Sequence, residues 1–156
     1  MPLAVNGGKV CVDYEEAREL LLRHLRYWGG VDLDKAHEIH HDDAVLEFPQ
    51  SGERFVGKAN ILGFRKQVPV QVDYEPLRLR GSGDLWVMEG RSFRGGDTTN
   101  PGYGAWIVEF RGDKVQHETI YFAEPFPAPD WRKPWVEDGA TWERQPDLPA
   151  RLRDRS

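Results

Sequence analysis

The chain has 156 residues and a formal net charge of −5, and this length allows one compact domain with a single core. Acidic and basic residues are interspersed along it, so it lacks the one-sided basic field that a nucleic-acid partner requires. No apolar run approaches the roughly 20 residues that span a bilayer, and Cys11 alone cannot form an internal disulfide; we therefore expect a soluble, cytoplasmic protein that does not bind membranes.

The first half of the chain is predicted to contain three helices and two short strands. Asp13 and Glu16 have the spacing of a capping box, and apolar residues then recur at helical spacing as far as Trp28, where a Gly-Gly pair ends the helix. Asp32 can cap the second helix. The remaining predicted elements are a helix over 33–41, strands over 44–48 and 53–56, and a helix over 58–67.

From Val70 onward the hydrophobic residues alternate with a period of two, which predicts a meander of strands. The predicted strands cover 70–80, 84–94, 103–111 and 114–123. In the first of them the apolar side changes at Glu75-Pro76, which predicts a β-bulge at that point.

The segment 124–156 is rich in proline and tryptophan and is predicted to be extended. Phe126, Trp131 and Trp135 are expected to anchor it across the domain or a partner subunit, with a frayed polar end after Trp142. The sequence is therefore divided into a domain over 1–123, with its core at about 14–122, and a C-terminal extension over 124–156.

Three motifs follow one another in a fixed order and spacing: DLDKAHEIHHDDAVLEFP at 32–49, RFVGKANILGF at 54–64 and FRGDKVQHETIYF at 110–122. Together they resemble the nuclear-transport-factor-2-like superfamily, in particular its SnoaL-like branch of polyketide cyclases and steroid isomerases. The resemblance implies an α+β fold, a cone-shaped domain of three N-terminal helices packed on a strongly bent antiparallel sheet that encloses a cavity. It does not specify a reaction, because this fold supports several kinds of enzyme and proteins with no known activity.

The ketosteroid-isomerase pattern, laid on the chain through these motifs, meets unexpected residues at all three functional positions. Phe48 replaces the general-base aspartate, His24 replaces the oxyanion-binding tyrosine, and Trp106 replaces the oxyanion-hole aspartic acid. Because Phe48 cannot accept a proton, steroid isomerisation by that mechanism is not expected.

Glu118 is the first candidate catalytic residue, since the alignment implied by the resemblance places it on the concave face of the last strand. Burial between Trp106 and Ile120 would raise the pKa of its carboxyl group and suit it to proton transfer. The alternative is that the strand parity is shifted by one residue, or that Glu118 forms an ion pair with no role in catalysis.

His40 and His24 are the other candidate catalytic residues. His40 occupies a position where the family usually has an inward-facing Phe or Leu, and helix one lines the cavity in the enzymes that the chain resembles. Either histidine can act as an acid or base together with Glu118, or be a core histidine hydrogen-bonded to a carbonyl group.

The pattern HxxHHDD at 37–43 resembles a metal-binding motif, because histidines three residues apart share a helix face. Aspartates at a turn between helix and strand explain the pattern equally well, and no second His/Cys cluster is present to complete a site. We therefore expect no metal and no other cofactor.

The expected ligand is a small hydrophobic or aromatic molecule bound in the cavity. Three interpretations stay open: cofactor-independent acid–base catalysis by an isomerase, dehydratase, cyclase or hydrolase; non-catalytic binding; and a protein-interaction domain. A homodimer is expected, with the convex sheet face around Tyr121 as one candidate interface. The residues expected to line the cavity are Trp28, Phe48, Phe64, Trp86, Met88, Trp106, Ile120 and Phe122.

Overall fold

A computed structural model describes residues 11–28, 31–137, 143–150 and 152 of the chain. The described residues form three α-helices, six strands and two 3-10 turns, and two of the helices come before the first strand. In chain order they are α1 (Tyr14–Tyr27), α2 (Leu33–Ala36), a 3-10 turn (His37–Ile39), β1 (His40–Phe48), β2 (Glu53–Val56), α3 (Lys58–Arg65), β3 (Val72–Ser82), β4 (Leu85–Arg94), β5 (Gly102–Arg111), β6 (Lys114–Ala123) and a second 3-10 turn (Asp130–Trp135).

The six strands form one curled sheet in the order β2-β1-β6-β5-β4-β3. All neighbouring strands are antiparallel except β1 and β6, which run parallel. The expected α+β architecture of helices packed on a bent sheet is confirmed, with this parallel pair as an addition. Among the described residues, no helix is long and apolar enough to cross a bilayer.

Helix α1 begins at the predicted capping box. The Asp13 side chain accepts a hydrogen bond of 3.0 Å from the Glu16 N–H, and the Glu16 carboxylate accepts one of 3.0 Å from the Asp13 N–H. This exchange satisfies backbone groups that a helix start leaves unpaired. The helix buries Ala17, Leu21 and Leu22 against the sheet, and each buried leucine stabilises the fold by about 2 kcal/mol.

The prediction of a helix over 33–41 is wrong beyond residue 36. Helix α2 ends at Ala36, a 3-10 turn follows, and His40 already belongs to strand β1. Two side chains explain the early end: His37 bonds to the Leu33 carbonyl at 2.6 Å, and His24 bonds to the Ala36 carbonyl at 2.7 Å. The chain then leaves the helix because His40 pairs with Val115 of β6.

The predicted bulge in β3 is present, within one residue of the expected place. The register between β3 and β4 shifts between Pro76 and Arg78, and the shift turns Leu77 and Leu79 into the core. Gly90 of β4 is needed opposite the bulge, because a Cβ atom there would lie 2.5 Å from the backbone oxygen of Glu75.

Buried apolar residues form two clusters. The larger lies between α1 and strands β3 to β6, and the smaller surrounds Leu46 and Ile61 where α3 packs on β1. Gly57, with φ of +91°, provides the sharp turn from β2 into α3 that brings Ile61 to this cluster.

The aromatic part of the C-terminal extension does not pack across the domain, and packing on a partner subunit stays a prediction. Phe126, Trp131 and Trp135 are 73%, 69% and 79% exposed. The Arg132 guanidinium group lies over the Trp131 ring, 5.2 Å from the ring centroid. These rings therefore contribute little to the core of the domain.

Residues after 142, expected to fray, make contacts with the domain where they are described. The Gln145 N–H donates to the Leu77 carbonyl at 2.8 Å, and the Gln145 side chain accepts from the Leu79 N–H at 3.1 Å. Leu148 and Leu152 are buried in the larger core cluster. The segment thus covers the free edge of β3, which would otherwise present unpaired backbone groups.

Candidate functional site

A small cavity lies between α1, the end of α3 and the concave face of the sheet. Its volume is about 60 Å³, well below the roughly 300–1,000 Å³ of drug-sized ligand sites. Aromatic and aliphatic side chains form most of the wall, and His24 and Arg65 add polar groups to it. The cavity is therefore suited to a small, mainly apolar molecule.

Five of the eight residues expected to bind a ligand line this cavity. These are Trp28, Met88, Trp106, Ile120 and Phe122.

The structure places the other three expected ligand-binding residues elsewhere. Phe48 and Phe64 contact each other in the smaller core cluster, with ring centroids 5.8 Å apart. Trp86 packs on Tyr14 and donates its indole N–H to the Gly83 carbonyl at 3.0 Å. Phe48 and Trp86 have the predicted inward parity and Phe64 lies on helix α3, but the sheet face is longer than the cavity and most of it is core.

Glu118 lies behind the cavity wall and is completely buried. Its Oε1 accepts a hydrogen bond of 2.9 Å from the Trp106 indole N–H. Its Oε2 lies 3.1 Å from His40 Nε2 and 3.5 Å from Arg65 Nη2. Strand β6 therefore has the expected parity, but the carboxylate is covered by other side chains rather than open to a ligand.

The expectation that burial would leave Glu118 with a raised pKa is wrong. Burial alone does raise the pKa, but the charges of His40 and Arg65 outweigh it and hold the pKa well below its usual range. Glu118 is therefore a carboxylate at every physiological pH. A group that keeps its charge in this way cannot donate a proton, and it is a poor base.

Arg65 is the cation that compensates Glu118. It comes from the last turn of α3, and its Nη1 donates to His37 Nε2 at 2.6 Å. Its guanidinium carbon lies 4.5 Å from the centroid of the Trp28 ring, where a cation–π interaction stabilises the charge. Sequence reasoning missed this residue, although its position four residues after Ile61 puts a charge on the apolar face of α3.

His37 and His24 are neutral, and their tautomers are fixed by the backbone. In each ring Nδ1 lies next to a carbonyl oxygen, that of Leu33 for His37 and that of Ala36 for His24, so Nδ1 carries the proton. Burial, followed by the charge of Arg65, lowers the pKa of His37 to about 3 and that of His24 well below 6.5.

The two histidines differ in what their other ring nitrogen does. Nε2 of His37 accepts the hydrogen bond from Arg65. Nε2 of His24 has no such partner among the described residues, and His24 lines the cavity. The His24 ring therefore offers a lone pair to a bound molecule.

His40 completes the buried cluster but does not line the cavity. Its ring lies 5.1 Å from that of His37 and 5.4 Å from that of His24. Nε2 approaches Glu118 too obliquely for a good hydrogen bond, and in the described part of the chain Nδ1 has no hydrogen-bond partner. The three expected catalytic residues thus lie together, and of the three only His24 lines the cavity.

The HxxHHDD segment divides between the inside and the outside of the sheet. His37 and His40 join the buried cluster, whereas His41 and Asp43 both bond to Arg111 on the surface. No group of three or more metal-ligating side chains lies close together among the residues that the structure describes.

Comparisons with known proteins agree with the fold. The profile of the SnoaL-like domain matches residues 21–118. A nuclear-transport-factor-2-like protein of unknown function from Burkholderia xenovorans LB400 is 40% identical, with a TM-score of 0.70 over 80% of this chain and 95% of that one. A search of curated proteins found no match.

Two more distant structures share the fold. A candidate ketosteroid isomerase from Kribbella flavida DSM 17836 is 21% identical, with a TM-score of 0.72 over 84% of this chain and 95% of that one. A candidate polyketide cyclase from Sinorhizobium meliloti is 18% identical, with a TM-score of 0.57 over 66% of this chain and 94% of that one.

Proposed function

The chain belongs to the SnoaL-like domain family, and we propose that it binds a small aromatic or hydrophobic molecule that carries a hydroxyl group. The observation behind this proposal is the His24 ring, which lines an otherwise mainly apolar cavity and has its Nε2 lone pair unused by the described residues. A hydroxyl group on the ligand would donate to this nitrogen.

The walls of the cavity provide the rest of the recognition. Trp28 and Trp106 lie near His24, with ring centroids 6.0 Å and 5.0 Å from the imidazole. A flat ring placed between them gains apolar burial and aromatic contacts. Arg65 and Glu118 neutralise each other nearby, so the site has no reason to prefer a charged ligand.

The protonation states favour binding over catalysis. A general base works best when its pKa lies near the working pH, whereas burial and Arg65 keep the pKa of His24 far below it. Glu118 has no proton to donate, because its lowered pKa keeps it a carboxylate, and it is buried behind the cavity wall. His24 is placed to orient a ligand, and neither group is tuned to exchange protons with it.

The test compares para-methylphenol with para-methylanisole, in which a methyl group replaces the hydroxyl proton. Calorimetric titration should give about fivefold tighter binding for the phenol, the value of one net hydrogen bond of about 1 kcal/mol. In His24→Asn the amide N–H can take the place of Nδ1–H at the Ala36 carbonyl, while the shorter side chain leaves no acceptor at the position of Nε2, so the preference should disappear. His117→Asn, on the exposed convex face, is the matched control and should keep it.

Equal binding of phenol and anisole by the wild-type protein would refute the role of His24. If neither compound binds, the cavity is not a site for small aromatic molecules, and the protein-interaction interpretation replaces the proposal.

Acid–base catalysis remains the second candidate function, with His24 as the group that takes up the proton and His40 and Glu118 as positioning residues. It is favoured by the neutral Nε2 of His24, which a ligand can reach. Exchange of the methyl protons of acetophenone in D₂O, followed by NMR, separates the two functions. Exchange faster than buffer that is lost in His24→Asn would support catalysis, and exchange at the buffer rate supports binding alone.

We also propose that the protein forms a homodimer. The support is the group of exposed aromatic side chains after β6, which includes Trp131 and Trp135. Exposed apolar side chains that lie together mark interaction surfaces. Light scattering coupled to gel filtration should give twice the chain mass. The double variant Trp131→Ala/Trp135→Ala should shift the protein toward monomer if this patch is the interface, and an unshifted dimer would place the interface elsewhere.

A further inference from the structure

A second cavity lies directly outside the first and shares two of its walls. This outer cleft has a volume of about 300 Å³. Trp28 and Arg65 line both spaces, so the two side chains form a partition between them. The other residues of the outer cleft are Leu33, Lys66, Val68, Val70, Gln71 and Val72.

The two side chains of this partition are held to different degrees. Arg65 is held by bonds to Glu118 and His37, deep in the protein. Trp28 follows the last residue of α1, in an extended backbone conformation. Its indole ring stacks on the Arg65 guanidinium group and bonds to the Tyr74 hydroxyl, and the empty cleft lies on its outer side. Of the two, Trp28 is the one with space to move into.

The inner cavity is too small for most organic ligands, whereas both spaces together fall in the usual range of about 300–1,000 Å³. The outer cleft continues the inner one chemically, because Leu33, Val68, Val70 and Val72 give it an apolar wall. Lys66 and Gln71 add polar groups to its lining, which suit a polar terminus or solvent.

We propose that the ligand site continues past Trp28 into the outer cleft, and that the Trp28 side chain is a movable partition between the two parts. The ligand class is then an elongated one, an aromatic ring with a hydroxyl group at the inner end and an apolar chain in the outer cleft. This inference rests on the proposed function, since it places the hydroxyl group at His24.

The test uses para-methylphenol, para-propylphenol and para-hexylphenol as probes in calorimetric titrations. Each methylene that enters the outer cleft should tighten binding by about fourfold, from about 0.8 kcal/mol of burial. Val70→Trp fills the outer cleft from its rim, so it should leave para-methylphenol binding unchanged and weaken para-hexylphenol at least tenfold. Val136→Trp, at an equally exposed valine away from both cavities, is the matched control and should behave as wild type.

Trp28→Ala removes the partition, and stopped-flow association of para-hexylphenol should become at least fivefold faster; Trp135→Ala is its control. An unchanged association rate overturns the role of Trp28. If Trp28→Ala does not fold, the Val70→Trp comparison decides alone.

The extended site is overturned if para-hexylphenol and para-methylphenol bind the wild-type protein equally. It is also overturned if Val70→Trp and Val136→Trp behave alike. Loss of binding by all three phenols overturns the proposed function as well.

Discussion

Two neighbouring regions of this domain share strand β1 and helix α3 and differ completely in chemistry. Strand β1 contributes His40 to the buried polar cluster and Phe48 to the apolar cluster around Ile61. Helix α3 divides its last residues in the same way, with Arg65 in the polar cluster and Phe64 in the apolar one.

The apolar cluster occupies the place where the resemblance to steroid isomerases would put a general base. Here Phe48 contacts Phe55, Phe64 and Phe122, with ring centroids 5.6 to 5.8 Å apart. The buried polar side chains lie instead near the end of α1, where Arg65 bonds to His37 and pairs with Glu118. The same fold can therefore place its polar and apolar side chains at different points of one sheet face.

The largest expected effect comes from neutralising Glu118. In Glu118→Gln the buried Arg65 keeps its charge but loses its counter-ion, which should lower the free energy of unfolding by about 3–5 kcal/mol. Urea denaturation measures this. In the apolar cluster, Ile61→Val should cost only about 1 kcal/mol.

Glu109→Gln tests whether that loss is specific to the buried pair. Glu109 lies on β5 and pairs with His117 at the surface, so its loss should cost less than about 1 kcal/mol. If Glu118→Gln costs as little as Glu109→Gln, the buried ion pair does not hold the polar cluster together.

Acid should destabilise the polar cluster and leave the apolar one unaffected. The unfolded histidines bind protons below pH 6.5, whereas the depressed pKa values of His24 and His37 keep them neutral when folded. Falling pH therefore favours the unfolded chain, by about 2 kcal/mol per pH unit between about pH 6 and pH 4 for the two groups. The stability that Glu118 contributes is lost below its unfolded pKa of 4.5 in the same direction.

Urea midpoints across this range measure the slope. His24→Asn removes one titrating group and should reduce the slope by about half. A stability that does not change between neutral pH and about pH 5 would mean that the buried histidines bind protons as readily in the folded protein as in the unfolded chain.

The smallest effect on the pH slope of stability is expected for Phe48→Leu. This residue is only partly buried and the substitution nearly conserves its volume, so the cost should be about 1 kcal/mol. The pH slope should equal that of the wild-type protein, because the Phe48 ring packs on the rings of Phe55, Phe64 and Phe122. A changed slope would show that the two clusters are coupled.

The sequence was sufficient for the fold because its signals are local. The capping box at Asp13, the period of two after Val70 and the bulge near Pro76 all depend on residues a few positions apart. The parity that turns Glu118 inward was predicted from the resemblance to the superfamily and not from local spacing.

The site was less predictable, because its properties depend on partners far apart in the sequence. Arg65 lies 53 residues from Glu118, and their contact reverses the direction of the pKa shift that burial alone implies. The early end of α2 likewise depends on His24 of another helix. The exposed Trp131 and Trp135 show that aromatic content by itself does not predict packing on the domain.

The central claim is that the buried cluster holds fixed protonation states and orients a ligand through His24. Nitrogen NMR of the histidine rings between about pH 7.5 and pH 5 tests it most directly, since the ring shifts report the tautomer and the charge. We expect His24 and His37 to stay neutral, with the proton on Nδ1, throughout this range. Protonation of His24 within this range would contradict it and would restore acid–base catalysis as the leading function.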